Sequence, residues 1–135
     1  MKRYELRVRD LMSTALLTIN ASETIAEAHA EMEMGVVRHL PAVDDRGRLV
    51  GVISDRDILR VLSSKKPRRV SEAMSRDIIT TRPDANAHTA AELMLDHRIS
   101  SLPVVDEAGT LVGMITQTDY VDLARRALLG LPLER

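Results

Sequence analysis

Apolar residues in the first half of the chain follow a helical spacing. The predicted buried stripe consists of Ile25, Ala28, Met32 and Val36, which recur three to four positions apart. Just before it, Thr24-Ile25-Ala26-Glu27 matches a capping box, in which a hydroxyl residue and a carboxylate three positions later each bond the other's backbone N–H. The pattern therefore predicts a helix that begins near Ser22 to Thr24.

Two short apolar runs after this helix are typical of a β-hairpin. Residues 40–44 carry a proline at the second position, near the strand start, where a missing N–H does least harm. Residues 45–47 end in glycine, which accepts a positive φ and favours a turn. Residues 49–53 form the second strand, and a last helix with Ile58, Leu59 and Leu62 begins near Arg56. With a helical turn at 8–13 and an extended segment at 17–19, the predicted order is β-α-β-β-α.

The same order recurs in the second half of the chain. A shift of 62 positions lays residues 8–62 on 70–124 without a gap, and 16 of the 55 pairs are identical. The identities cluster at turns and strands, which indicates an internal repeat. In the second copy the extended segment is 79–81, Pro83-Asp84 opens the helix, and its stripe is Ala87, Ala90, Ala91 and Met94. Strands at 102–106 and 111–115 and a helix from Thr118, with Val121, Leu123 and Ala124, complete the copy.

One motif follows the second strand in both copies. Residues 51–57 and 113–119 both have the form Gly-x-x-(Ser/Thr)-x-x-Asp at a predicted strand-to-helix junction. Glycine permits close approach of a ligand to the backbone, and a hydroxyl with free N–H groups of a helix N-terminus can bind phosphate. A carboxylate can accept both hydrogen bonds of a ribose diol. The alternative is local: Ser54 and Thr116 are helix N-caps, and Asp57 and Asp119 interact with the helix dipole.

Composition excludes several classes of function. The chain has 135 residues, no cysteine and a net charge of −1 from 19 basic and 20 acidic residues. Disulfides and thiolate sites are excluded, and no overall charge favours nucleic acid or anionic membranes. The charged first residues do not resemble a signal peptide, and no apolar run has the about 20 residues that a membrane helix needs. No Walker A, Gly-x-Gly-x-x-Gly or Gly-x-Ser-x-Gly pattern occurs, so the protein is not expected to be an enzyme.

Two further signals favour ordinary structural roles. The four histidines, His29, His39, His88 and His97, have no i,i+4 pair among them, so no metal site is predicted. The basic run at residues 65–69 lacks interleaved aromatics, which favours a solvated linker over a nucleic-acid contact.

The sequence as a whole resembles a tandem pair of cystathionine β-synthase (CBS) domains. The likeness is carried by residues 8–13, 24–28, 40–44 and 49–57 and by their counterparts up to Asp119. It implies an α+β fold of two repeats, packed sheet to sheet about a pseudo-twofold axis, with CBS domains at 8–63 and 70–127 and a linker at 64–69. It also implies adenosine-binding clefts between the repeats.

The resemblance assigns residues to those clefts. Asp57 and Asp119 match the ribose-binding acid, and Ser54 and Thr116 match a hydroxyl near the phosphate. Thr18 and Thr80 match the segment that lines the adenine pocket. The remaining expected ligand-binding residues come from the Leu-Pro strand, the two residues before it and the start of the last helix: Arg38, His39, Pro41, Arg56, Ser100, Ser101, Pro103 and Thr118. Since three of the first copy's positions are cationic or imidazole groups, that copy is expected to suit phosphate, and the second copy a less charged ligand.

The resulting prediction is a regulatory module that binds AMP, ADP, ATP or S-adenosylmethionine and passes the bound state to a partner. Such a module needs no resident cofactor. The resemblance also implies a homodimer, and a cytoplasmic location is expected. The alternative is a structural or protein-interaction module with no small-molecule ligand, and calorimetry separates the two.

Overall fold

Six helices and five strands make up the computed structural model over the residues it describes, which are 5–63, 66 and 68–133. The first half contains α1 (Val8–Leu11), β1 (Ile19–Asn20), α2 (Ile25–Gly35), β2 (His39–Val43), β3 (Leu49–Ser54) and α3 (Asp55–Val61). The second half contains α4 (Val70–Ala73), α5 (Ala87–His97), β4 (Ser101–Val105), β5 (Leu111–Thr116) and α6 (Gln117–Leu128). The first half has the predicted order of elements, whereas in the second half the extended segment predicted at 79–81 forms only an isolated bridge at Thr81.

The chain divides into two compact units that do not follow the sequence halves. Of the described residues, unit 1 takes 5–16, 79–107 and 112–133, and unit 2 takes the rest, including 108–111. Unit 1 therefore joins α1 to the second repeat, and unit 2 joins α4 to the first. The predicted domain bounds at 8–63 and 70–127 describe the repeat in sequence, whereas the units describe packing in space.

Unit 2 is built on a three-stranded sheet in the order β1-β2-β3. β1 runs parallel to β2 with Ile19 opposite Ala42, and β2 runs antiparallel to β3 with His39 opposite Ser54. Its core consists of apolar side chains from the sheet, α2, α3 and α4: Ile19, Ile25, Ala28, Met32, Leu40, Ala42, Ile53, Ile58 and Val70. The backbone N–H of Val70 donates to Glu23 O at 2.8 Å, which fixes α4 beside the start of α2.

Unit 1 repeats this plan. β4 pairs with β5, and an isolated bridge from Thr81 to Val104 takes the place of β1. Its core consists of Leu6, Val8, Leu11, Ala87, Ala90, Met94, Leu102, Val104 and Ile115. The N–H of Ala87 donates to Leu6 O at 2.9 Å, so α1 lies beside the start of α5 as α4 lies beside α2.

The motif glycines make room for these short helices. Val52 and Ser75 exchange two backbone hydrogen bonds of 2.9 Å, and Met114 and Ser13 do the same in unit 1. A Cβ on Gly51 would lie 2.4 Å from Met74 Sδ and 2.9 Å from Ser75 O. The space beside Gly51 is therefore occupied by the protein's own Met74 and Ser75, whereas the motif predicted that a ligand would approach the backbone there.

Element ends differ from prediction in a few places. The extended segment of the first copy lies at Ile19–Asn20, two residues later than predicted at its start. Pro83-Asp84 does not open α5; Asn86 is its N-cap, and Pro83 lies in the preceding turn. The last helices expose four residues that were expected on apolar faces: Leu59, Leu62, Val121 and Ala124.

Val36 departs furthest from the predicted helical stripe. It is the C-cap of α2, with φ 53°, and is 90% exposed. The left-handed conformation turns it off the buried face. Arg98 has φ 54° at the equivalent end of α5. Glycine usually occupies this position because a side chain there crowds the backbone.

Replacing Val36 by glycine should stabilise the protein. The left-handed conformation costs a non-glycine residue about 1–2 kcal/mol, and glycine's extra unfolded-state entropy costs about 0.5–1 kcal/mol. We expect Val36→Gly to raise the free energy of unfolding by about 1 kcal/mol, measured by urea denaturation. Val37→Gly, at the next position, where φ is not positive, is the control and should destabilise. A loss of stability in Val36→Gly would contradict this account.

Candidate functional site

The predicted site residues of the first copy lie in unit 2, where β3 ends and α3 begins. His39 is opposite Ser54 in the β2–β3 pair, and the N–H of Asp55 donates to Arg38 O at 2.9 Å. These bonds place Arg38 and His39 beside the hydroxyl of Ser54. Arg38, His39 and Arg56 are exposed, so two guanidinium groups and an imidazole are available at the surface of the unit.

Asp57 is held at this junction with only 6% of its surface exposed. Its Oδ2 accepts from the N–H of Ser54 at 2.8 Å, and its own N–H donates to Ser54 Oγ at 3.1 Å. Its Oδ1 accepts from the guanidinium of Arg60. The helix capping box, which is the local interpretation of the motif, therefore forms in the structure. A carboxylate offers about four lone-pair positions, so these bonds do not by themselves exhaust its capacity to accept.

The backbone at the start of α3 is largely occupied. The N–H of Asp55 bonds Arg38 O, and the N–H of Asp57 bonds Ser54 Oγ. The motif predicted free N–H groups that would bind phosphate here. An anion at this junction would instead depend mainly on side chains, and the exposed cations are the available donors.

Thr18 and Pro41 lie at the same level of the unit 2 sheet. Ile19 pairs with Ala42 in parallel, so the preceding residues Thr18 and Pro41 are neighbours in register. Thr18 is half-buried and Pro41 is buried. All seven residues expected for the first site are therefore in one unit.

Unit 1 brings the second set together in the same way. The N–H of Gln117 donates to Ser100 O at 2.9 Å, matching the bond between Asp55 and Arg38. Asp119 is 6% exposed, and its Oδ2 accepts from the N–H of Thr116 at 2.8 Å and from its hydroxyl at 3.3 Å.

The rest of the second set also lies in unit 1. Thr81, next to Thr80, donates its N–H to Pro103 O at 3.0 Å. Ser101 begins β4, and Thr118 lies exposed in the first turn of α6. Where unit 2 presents Arg38, His39 and Arg56, unit 1 presents Ser100, Ser101 and Thr118, and none of these three is charged.

Two of the histidines and two residues of the basic run contact other parts of the protein. His29 pairs with Glu33 and His88 with Glu92 on helix surfaces. Within the part of the chain that the structure describes, no cluster of three or more metal-ligating side chains occurs. Arg68 pairs with Glu72 at 3.1 Å and Arg69 donates to Ser22 O, whereas Ser64, Lys65 and Pro67 lie outside the described residues. No helix among the described residues is long and apolar enough to cross a membrane.

Tyr120, next to Asp119, was not singled out in the sequence. Its hydroxyl donates to Ala87 O at 2.5 Å, which links α6 to the start of α5. Burial raises the pKa of Tyr120 to about 12, and the negative charge of Asp119 acts in the same direction. The position equivalent to Tyr120 in the first copy is Ile58, so no repeat-matched pattern could reveal the hydrogen bond.

The raised pKa of Tyr120 predicts a loss of stability at alkaline pH. Unfolded tyrosine titrates near pH about 10, so the folded state holds this proton more tightly. The stabilisation is present below pH about 10 and is lost as pH rises from about 10 to about 12. In Tyr4→Phe, where Tyr120 is the only tyrosine, tyrosinate absorbance should appear near pH about 12 in the folded protein and near pH about 10 in urea. A folded-state midpoint near that of the urea-unfolded chain would contradict the assignment.

Comparison with known proteins identifies the family. The model of the CBS domain matches residues 8–64 and 70–126. Solved structures agree: the CBS domain pair of a protein in complex with 5′-methylthioadenosine and S-adenosyl-L-methionine is 33% identical, with a TM-score of 0.77 over 90% of this chain and 98% of that one. The chain therefore belongs to the CBS domain family, which confirms both the resemblance and the mixed α+β class.

Two other solved structures are similar and carry ligands. CBSX2 in complex with AMP is 30% identical, with a TM-score of 0.81 over 90% of this chain and 98% of that one. The cytosolic domain of the Mg²⁺ channel MgtE in complex with ATP is 31% identical, with a TM-score of 0.73 over 84% of this chain and 46% of that one.

Curated relatives fall into two kinds. A homoserine O-acetyltransferase of Methanohalophilus mahii is 39% identical over 111 residues, which is 82% of this chain but 23% of the enzyme. The chain thus spans about a quarter of the length of this relative. A CBS domain-containing protein of Dictyostelium discoideum is 32% identical over 138 aligned positions, covering 93% of this chain and 95% of that protein.

Proposed function

We propose that this chain is a regulatory module that binds adenosine-containing ligands, namely AMP, ADP, ATP or S-adenosylmethionine. Each unit would offer one site, centred on Asp57 in unit 2 and on Asp119 in unit 1. The observation that carries the proposal is the repeated junction, where a nearly buried carboxylate lies beside a hydroxyl and the start of the Leu-Pro strand. The ligands of the similar CBS pairs support the same class of molecule.

The chemistry of each side chain suggests which part of the ligand it would contact. The carboxylate would accept the two hydroxyls of the ribose, while Thr18 with Pro41, or Thr80 with Pro103, would border the base. Ser54 or Thr116 would lie near the first phosphate. Because Arg38, His39 and Arg56 are exposed around Ser54, the unit 2 site favours a phosphate tail. Ser100, Ser101 and Thr118 suit a nucleoside or a ligand without phosphate in unit 1.

Binding would act on a partner rather than on a reaction. A ligand that binds one conformation better than another shifts their populations, and a protein in contact with the module can respond to that shift. The enzyme relative carries a matching region over 23% of its length, which fits a module that serves an attached or separate catalytic protein. We place this activity in the cytoplasm, and with AMP or ATP as ligand the module would report the energy state of the cell.

A structural or protein-interaction module with no ligand is the second candidate. It is favoured by the capping box, since Asp57 and Asp119 accept hydrogen bonds from the N–H groups of Ser54 and Thr116 and thereby have a role in the fold without any ligand. The two candidates differ in one measurable property, which is affinity for an adenosine ligand.

Substituting the two aspartates should remove the two sites separately. Hydrogen bonds to a charged group contribute about 1.5–3 kcal/mol, so we expect Asp57→Asn and Asp119→Asn each to weaken one site about tenfold to a hundredfold. Isothermal titration calorimetry with AMP, ADP, ATP and S-adenosylmethionine measures both affinity and the number of sites.

The matched controls are carboxylates that cap helices elsewhere. Glu72 accepts from Arg69 N at 2.9 Å in unit 2, and Asp10 accepts from Arg7 N at 2.8 Å in unit 1. Glu72→Gln and Asp10→Asn should lose a similar cap and keep both sites. Absence of heat with all four ligands at millimolar concentration would reject ligand binding and favour the structural candidate.

We also propose that the module forms a homodimer through unit 2. α2 and α3 pack against each other, and α3 leaves Leu59 66% and Leu62 62% exposed, with Met34 and Val36 exposed at the end of α2. Large apolar side chains exposed on adjoining helices mark interaction surfaces. A second copy of the same surface would cover them in an isologous contact.

Charges on this surface should separate the dimer. The double substitution Leu59→Lys and Leu62→Lys is expected to halve the mass measured by light scattering after size-exclusion chromatography, because apolar burial is replaced by charge repulsion. Glu107→Lys, at the β4–β5 turn, is the control and should leave the mass unchanged. A wild-type protein of monomer mass would refute the dimer.

A further inference from the structure

The exposed guanidinium of Arg60 contacts the buried carboxylate of Asp57 in unit 2. Its guanidinium donates to Asp57 Oδ1, while Oδ2 accepts from Ser54 N at 2.8 Å. The Arg60 side chain is 72% exposed and the Asp57 side chain 8%. The carboxylate is therefore fixed by the fold, whereas the arginine is a long surface side chain that can move away from it.

The equivalent position in unit 1 carries the opposite charge. A shift of 62 positions pairs Arg60 with Asp122, one turn after Asp119. Asp122 accepts from Arg125 at 2.8 Å and from Arg126 at 3.0 Å, and these hydrogen bonds hold its pKa below the ordinary value. Asp122 is thus charged at neutral pH, and a carboxylate cannot donate a hydrogen bond to Asp119.

This difference affects how a ribose can bind. A diol that bonds both carboxylate oxygens of Asp57 competes with a charge-assisted hydrogen bond from Arg60. A neutral nucleoside has no anionic group to accept hydrogen bonds from the displaced guanidinium. A nucleotide offers phosphate oxygens, which match the donor geometry of arginine well. The same residue would then disfavour the neutral ligand and favour the anionic one.

We propose that Arg60 is a specificity-determining residue of the unit 2 site, which exchanges Asp57 for the ligand's phosphate and thereby selects nucleotides over nucleosides. Asp122 leaves the unit 1 site without this selection. The inference rests on the proposed function, because it presumes that Asp57 accepts a ribose.

The test compares AMP with adenosine at one site at a time. In the Asp119→Asn background, calorimetry reports the unit 2 site, and Arg60→Ala should bind AMP more weakly and adenosine more tightly. We expect the ratio of the two affinities to fall about fivefold to tenfold, the scale of a partly exposed charge contact. In the Asp57→Asn background, Asp122→Arg should raise the same ratio at the unit 1 site.

Arg46→Ala removes an equal charge from the β2–β3 turn, at the opposite end of that hairpin, and should leave the ratio unchanged. If Arg60 served only to stabilise α3, Arg60→Ala would weaken both ligands alike, and an unchanged ratio overturns the inference while the proposed function stands. Failure of the Asp119→Asn protein to bind AMP at the unit 2 site overturns this inference alone, whereas absence of binding by the wild-type protein with AMP, ADP, ATP and S-adenosylmethionine overturns the proposed function and this inference with it.

Discussion

A carboxylate that turns back to the backbone N–H three residues before it organises both units. It occurs at Asp57 and Asp119, and again at Asp10 and Glu72 on the short helices, always with a distance of 2.8–2.9 Å. Each bond satisfies a donor that a helix start would otherwise leave unpaired. At the two motif positions the carboxylate is also nearly buried, so its place relative to the strand end is well defined. A fold requirement and a candidate binding group thus coincide in the same atoms.

That coincidence explains why the motif could not be interpreted from spacing alone. The ligand and capping interpretations use the same hydroxyl and the same carboxylate, and the structure contains the cap. What sets Asp57 and Asp119 apart from Asp10 and Glu72 is their position directly after β3 and β5, each of which pairs with the Leu-Pro strand of its unit. The two short helices share the hydrogen bond and lack those neighbours.

Much of the architecture followed from apolar spacing because the buried stripes are short and regular. Ile25, Ala28 and Met32 lie in the core as predicted, and so do their counterparts in α5. The prediction failed at Val36, because periodicity does not show where a chain enters a left-handed conformation. It also missed Arg60, whose contact with Asp57 joins a polar surface residue to a motif residue. Side-chain pairs of this kind follow from rotamers and local geometry, which no apolar pattern encodes.

The placement of α1 and α4 bears on how such a chain could arise. Each core is completed by the short helix that belongs, in sequence, to the other repeat. An ancestral gene that encoded a single repeat would have yielded a chain unable to fill its own core, since its short helix packs on a neighbour. Two such chains would have had to exchange these helices, as in a domain-swapped pair. Fusion of two such genes would turn an encounter between molecules into a tethered one and remove its dependence on protein concentration.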